Sequence, residues 1–139
     1  MMDPSVNVIL TYVCPNKCRY CFAPNYISSQ KNIRFMSLHN FRLITNFLKK
    51  SNLTNIRLLG GEPLIHPNID QILDEIEQDD FFEIISIFTS GVFPSSLVER
   101  LNNEKIILVI NLNHQKDYSR DNYNRFMKNI EKMSNKGIR

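Results

Sequence analysis

The segment CPNKCRYC, residues 14–21, holds all three cysteines of the 139-residue chain. It follows a run of β-branched and aromatic residues, Val6 to Val13, which predicts a first strand. Pro15 ends that strand, and the polar residues after it predict a loop. Three thiolates so close in sequence can bind a metal centre. A cubane iron-sulfur cluster normally takes four cysteine ligands, so three cysteines leave one iron open to a non-protein ligand.

Three other interpretations of these thiols have to be weighed. A disulfide framework favours an even cysteine count in a secreted chain, and residues 1–4 do not resemble a signal peptide. A structural zinc site needs four ligands, usually in two pairs, and His39, His66 and His114 supply no such pair. Three unrelated buried cysteines fit poorly with the proline and charged residues between them.

The composition is that of a single globular domain. Hydrophobic residues make up 42% and charged residues 22%, and the formal net charge is +3. The chain is long enough to bury a core, and no basic run with interleaved aromatic residues indicates nucleic-acid binding. No apolar segment has the length that crosses a bilayer. We therefore expect no membrane partner, and the absence of cysteines outside the loop and of a targeting peptide favours the reducing cytoplasm.

The remaining pattern predicts four strand-helix units. The later strands are predicted at Ile56–Leu59, Ile84–Thr89 and Lys105–Leu112. The first helix is predicted from Ser37 to about Lys50, and the second after His66-Pro67. The third is predicted after Pro94, with Ser96 and Glu99 as a capping box. The fourth is predicted from about Asp121, with Gly137 as its C-terminal cap. The apolar run of the third strand is typical of a strand covered on both faces. Residues 22–35 are predicted to be irregular. A fifth strand is predicted to begin at Ile138.

Alternating strands and helices favour an α/β fold with a parallel sheet, whose sites gather at the carboxyl ends of the strands. Four polar or cysteine-bearing segments follow the four predicted strands. They are Cys14 with its loop, Gly60-Gly61-Glu62, Thr89-Ser90-Gly91, and Asn111 with Asn113. The sequence therefore predicts one site at this rim.

The C-x3-C-x2-C spacing, with Tyr20 before the last cysteine and a strand before the first, resembles the signature of the radical S-adenosylmethionine (radical SAM) enzymes. The resemblance implies that Cys14, Cys18 and Cys21 bind a [4Fe-4S] cluster whose fourth iron is chelated by SAM. It implies reductive cleavage of SAM to a 5'-deoxyadenosyl radical, which removes hydrogen from a substrate in an oxidoreductase reaction. Flavodoxin or ferredoxin would be the electron donor.

Cores of this family are partial (β/α) barrels with six units, and residues 1–139 resemble the first four, the N-terminal part of the core domain. Two explanations stay open. The chain is part of a longer enzyme, or it is a half-barrel whose open sheet edge is covered by a second copy or a partner chain.

The resemblance also extends to SAM-binding residues. Gly60, Gly61, Glu62 and Pro63 match the family's GGEP motif, which binds the SAM amino group, and a carboxylate such as that of Glu62 can accept hydrogen bonds from an ammonium. Tyr20 matches the residue that lies against the adenine. Ser90 stands where many members have asparagine, and Asn111 and Asn113 match positions near the ribose and carboxylate.

Structural roles compete with each of these assignments. Tyr20 can pack the loop onto the core, a Gly-Gly turn is usually structural, and both asparagines can cap a strand. The substrate is not specified; a peptide is one hypothesis, with small metabolites or RNA as others. The competing hypothesis for the whole chain is a non-catalytic iron-sulfur or metal-binding module that needs a partner chain.

Overall fold

The structure is a computed structural model that describes residues 4–21 and 34–138. Four parallel strands form one sheet in the order β1-β2-β3-β4. They span Ser5–Thr11 (β1), Asn55–Gly60 (β2), Ile84–Thr89 (β3) and Ile106–Ile110 (β4). The predicted α/β fold with four parallel strands is confirmed. The irregular segment predicted at residues 22–35 lies largely outside the described residues.

Three α-helices connect or follow these strands: Leu38–Lys50 (α1), Ile69–Glu77 (α2) and Arg120–Asn135 (α3). Ser37 caps α1, as predicted, by accepting a hydrogen bond from the Asn40 amide. The predicted glycine cap also forms, because Gly137 has φ +64 and the amide of Ile138 donates to Met133 O. Ile138 thus closes the C-terminal cap of α3, and the fifth strand predicted to begin at this residue stays a prediction.

The helix predicted after Pro94 is a 3-10 helix instead, spanning Ser95–Leu101. Its amides bond three residues back, as Leu97 N does to Pro94 O, and no side chain caps its start. The predicted capping box of Ser96 and Glu99 therefore does not form. Shorter 3-10 turns occupy Pro63–Ile65 and Gln115–Asp117.

One face of the sheet carries the hydrophobic core. Val8, Leu58 and Ile87 lie in neighbouring strands, point to this face and are almost completely buried. Each helix adds apolar side chains to this core. They are Phe41 and Leu48 of α1, Ile72, Leu73 and Ile76 of α2, and Met133 of α3. The 3.6-residue spacing of these side chains is what places them on one side of each helix.

The described residues cover the opposite face of the sheet only in part, so they do not by themselves meet the prediction that β3 is covered on both faces. Burial alternates along β3, with Ile85 and Ile87 buried but Ile84 exposed and Phe88 half-buried. Val109, which pairs with Phe88 in β4, is 36% exposed. An apolar run identifies a strand, but which elements pack on each face depends on the rest of the fold.

Both outer strands, β1 and β4, are sheet edges within the part of the chain that the structure describes. No helix in that part is both long and apolar enough to cross a membrane.

His66 links the start of α2 to the segment that enters α1. Its Nε2–H donates to Met36 O (2.9 Å), and its Nδ1 accepts from the Asn68 amide (3.1 Å). The ring is buried and packs edge-on against Phe35. Both nitrogens are used by the neutral imidazole, and burial lowers the pKa of His66.

We predict that His66→Ala lowers the free energy of unfolding by about 1–3 kcal/mol, because two partly buried backbone groups lose their partner. Since the pKa is lowered on folding, the unfolded chain takes up the proton first, and wild-type stability falls as the pH drops below about 6.5. Urea denaturation at pH 8 and pH 5.5 measures both effects. His39→Ala, at an exposed position of α1, is the control; an equal loss in that variant would contradict the assignment.

Candidate functional site

The backbone after β2 lies directly against the backbone that precedes the first cysteine. The β1–β2 register shifts between Ile9 and Thr11, and beyond the shift Gly61 N donates to Thr11 O and Glu62 N to Val13 O, both at 2.8 Å. A Cβ atom on Gly61 would lie 2.2 Å from Val13 O and 3.0 Å from the Cβ of Cys14. Glycine is therefore required here by the close approach of two backbones.

The Glu62 carboxylate joins this junction to the end of β3. It is fully buried and accepts hydrogen bonds from Thr89 Oγ1 (2.8 Å), Ser90 N (2.8 Å) and Ser90 Oγ (2.6 Å). A longer bond of 3.3 Å comes from the Leu64 amide. Burial raises the pKa of Glu62, and these four donors oppose that rise by stabilising the carboxylate.

The three cysteines border one cavity of about 310 Å³ at the carboxyl ends of the strands. All three are free thiols and half-buried. Ligand cavities commonly have volumes of this order and combine apolar walls with a few polar groups. The other lining residues are Asn16, Tyr20, Leu59, Gly60, Gly61, Phe88, Ser90 and Asn111.

Residues after β4 hold the cysteine loop from the side opposite the glycines. Asn122, in the first turn of α3, donates from Nδ2 to Pro15 O (2.9 Å) and to Asn16 Oδ1 (3.0 Å). Asn113 Nδ2 lies 3.5 Å from Cys18 Sγ. The exposed side chain of Arg19 also forms an ion pair with Asp117. The loop is thus anchored by elements about 100 residues away in sequence.

Burial disfavours the free thiolates. It raises the pKa of Cys14 to about 11, although a backbone hydrogen bond from Asn16 opposes the change. The pKa of Cys18 is also raised, mainly by burial, and the bond from Asn113 opposes it. Binding to iron would replace the proton on each sulfur, so a metal centre is what makes thiolates favourable here.

The donor set fits a cubane cluster better than a single metal ion. Among residues 4–21 and 34–138, no three His, Cys, Asp or Glu side chains are arranged to hold one metal ion. A cubane takes one thiolate at each of three irons, so its ligands need not converge on a single point. Asn16 also lines the cavity, and its buried Nδ2 has no hydrogen-bond acceptor among the described residues.

The structure brings all the predicted site residues to one rim. Tyr20, Gly60, Gly61, Ser90 and Asn111 line the cavity together with the cysteines, and Asn113 touches Cys18. Glu62 and Pro63 are buried and do not line it. Tyr20 is 62% exposed, so it does not pack into the core, and its hydroxyl donates to Asn113 Oδ1. Of the histidines set aside on sequence grounds, only His66 is buried.

Sequence reasoning missed three lining residues. Leu59 and Phe88 lie near the carboxyl ends of β2 and β3, on the sheet face that does not carry the core. Their positions just before Gly60 and Thr89 could have indicated that they line the site. Asn16 was seen only as a polar residue between cysteines. Its role depends on the fold, because Asn122 of α3 fixes its amide.

Comparison with known proteins gives one family and several relatives. The family model of the radical SAM superfamily matches residues 8–139. A GTP 3',8-cyclase of Syntrophomonas wolfei is 28% identical over 96 residues, which cover 69% of this chain and 29% of that protein. A probable GTP 3',8-cyclase of Methanocaldococcus jannaschii is 28% identical over 99 residues, covering 71% and 32%. Human molybdenum cofactor biosynthesis protein 1 is 24% identical over 96 residues, covering 69% and 15%.

The chain therefore spans about a third or less of the curated relatives that it matches. Among solved structures, "Native anSMEcpe with bound AdoMet and Kp18Cys peptide" superposes with a TM-score of 0.69 at 14% identity. The superposition covers 97% of this chain and 42% of the other. This likeness confirms the predicted partial-barrel fold with four strand-helix units.

We predict that Gly61→Ala strongly reduces cluster incorporation, because the added methyl group must displace the backbone of Val13 and the Cys14 side chain. Overpacking of this kind costs about 1–3 kcal/mol. Iron and sulfide bound per chain after anaerobic reconstitution measure the effect. Gly137→Ala is the control for strain without overpacking, since φ there is +64 but nothing lies within 4 Å of the point that a Cβ atom would occupy. Full incorporation in Gly61→Ala would show that the close backbone approach does not position Cys14.

Proposed function

The chain belongs to the radical SAM superfamily, and from this premise we propose that it binds a [4Fe-4S] cluster through Cys14, Cys18 and Cys21 and SAM in the adjoining cavity. One observation carries the proposal: the three thiols and the glycine junction border the same cavity. When bound and reduced, the cluster supplies the electron that cleaves SAM to methionine and a 5'-deoxyadenosyl radical.

We assign the SAM amino group to the backbone of the Gly60-Gly61-Glu62-Pro63 segment, since backbone carbonyls can approach a ligand closely at glycines. The Glu62 carboxylate positions this segment, because both its oxygens already accept hydrogen bonds from Thr89 and Ser90. Tyr20, Ser90 and Asn111 border the remaining cavity and bind the adenosyl part.

The proposal is tested by anaerobic reconstitution with iron and sulfide, followed by EPR of the reduced protein with and without SAM. We predict a cubane signal that changes on SAM addition, together with formation of 5'-deoxyadenosine. Alanine at position 14, 18 or 21 should abolish the cluster, because one iron then loses its thiolate. One bound zinc and no sulfide would contradict the proposal.

A cluster that forms but does not respond to SAM would favour the competing hypothesis, a non-catalytic iron-sulfur module. That result would direct the search to a partner chain. The structure leaves β1 and β4 as edges among its described residues, and we propose that further strands, a second copy or a partner covers one of them.

We propose an anionic substrate, with GTP as the first candidate because the sequence relatives are named GTP 3',8-cyclases. Arg57 of β2 supports this choice. It is exposed on the sheet face that does not carry the core, two residues before Leu59, which lines the cavity. Side chains two residues apart share a strand face and lie about 7 Å apart. The guanidinium thus lies within reach of a ligand that extends from the cavity.

The surroundings of Arg57 are neutral. Its cross-strand neighbours are Asn7 in β1 and Ser86 in β3. None of the six ion pairs that the described residues form involves Arg57. A planar guanidinium with free donors is suited to bidentate binding of a phosphate or carboxylate. A peptide substrate is the alternative.

We predict that Arg57→Ala weakens GTP binding to the SAM-loaded protein about tenfold or more, the effect of losing a hydrogen bond of about 1.5–3 kcal/mol to a charged group. Isothermal titration with GTP and with guanosine measures it. Guanosine affinity should be unchanged, because it lacks the phosphates. Arg125→Ala, at an exposed position of α3, is the control. Equal GTP affinity in wild type and Arg57→Ala would remove this residue from substrate recognition.

The electron donor is proposed to be an acidic flavodoxin or ferredoxin. Exposed basic residues lie in the cysteine loop, at Lys17 and Arg19, and in the segment after β4, at Lys116 and Arg120. Arg19 is tied to the Gln115–Asp117 turn by its ion pair, and Asn122 ties the first turn of α3 to Pro15. These contacts bring the basic residues to one side of the loop, where they attract an acidic carrier.

A further inference from the structure

Asn113 is held in one orientation beside the second cysteine. Its Oδ1 accepts a hydrogen bond from the Tyr20 hydroxyl, which directs its Nδ2 toward Cys18 Sγ at 3.5 Å. The Tyr118 hydroxyl lies 3.4 Å from both Nδ2 and the backbone amide of Asn113. The Nδ2 donor of Asn113 is therefore oriented toward Cys18 Sγ.

The side chains behind this orientation are closely packed. Tyr118 is 9% exposed and packs against Phe126 of α3, with ring centroids 5.3 Å apart. Phe126 in turn lies against Gly91, where a Cβ atom would come within 2.7 Å of its ring. The position of Asn113 thus depends on the packing of α3 against the end of β3.

A hydrogen bond to a cluster thiolate stabilises the form of the cluster that carries more negative charge. Reduction adds one electron, so such a bond favours the reduced state and raises the reduction potential. Cys14 receives its hydrogen bond from the backbone of Asn16, within the cysteine loop itself. Cys18 instead receives a side-chain bond from a residue 95 positions away. A side-chain donor can be removed by substitution, whereas a backbone donor cannot.

We propose that Asn113 is a positioning residue that raises the reduction potential of the cluster through Cys18, and that Tyr20 orients its amide. The inference rests on the proposed cluster at Cys14, Cys18 and Cys21. It assigns Asn113 to the cluster side of the site and leaves the adenosyl part of SAM to residues that line the cavity. The couple concerned is the one-electron reduction of the cluster by a reduced carrier, or by dithionite in the test.

The test is an EPR-monitored redox titration of the reconstituted full chain without SAM. Asn113→Leu keeps the approximate shape of the side chain and removes the N–H donor. We expect cluster content close to that of the wild type and a midpoint potential shifted to more negative values. Tyr20→Phe keeps the ring but removes the hydroxyl that orients the amide, and we expect a smaller shift of the same sign.

Two controls separate this effect from others. Asn124→Leu makes the same substitution at an exposed position of α3 and should leave the potential unchanged. Asn113→Asp replaces the donor by an acceptor and should shift the potential further in the negative direction than Asn113→Leu. An unchanged potential in Asn113→Leu, with the cluster present, would overturn the inference while leaving the proposed function intact. A wild-type chain that takes up no iron and sulfide would instead overturn the proposed function, and this inference with it.

Discussion

The close contact between two stretches of backbone determines where the cysteine loop lies. Gly61 and Glu62 donate from their amides to Thr11 and Val13, immediately before Cys14, and the space between the chains admits no Cβ atom. The first cysteine is therefore placed by strand pairing that continues past the register shift of β1. The first cysteine is thus positioned by strand ends, and sites built on regular elements are held more precisely than sites built on loops alone.

Glu62 extends this constraint to a third strand. Its buried carboxylate accepts hydrogen bonds from the end of β3, and the amide of the same residue bonds to the segment after β1. Because a buried carboxylate without donors would be costly, these bonds lock the ends of β1, β2 and β3 together. Asn113 and Asn122, which follow β4, also bond to the cysteine loop. The position of the loop therefore depends on residues after β2 and on residues after β4.

The sheet has two different faces, one packed into the core and one that borders the cavity. Helices and apolar side chains cover one face, which supplies the core. The other face carries Leu59 and Phe88 beside the cavity and Arg57 further along β2. Residues on the second face are free to bind a ligand because the core does not need them.

The strands, the helix after His66-Pro67 and the meeting of four strand ends at one rim could all be predicted from the amino-acid sequence. These features follow from local periodicity, capping residues and the geometry of parallel sheets, which act over a few residues. The fold decided that the Ser95–Leu101 segment is a 3-10 helix and that the described residues leave one sheet face largely open. It also decided that the Glu62 carboxylate points to β3 and the Asn113 amide to Cys18. The physical reason is that such contacts join residues tens of positions apart, and no local pattern specifies which partner a buried polar group will meet.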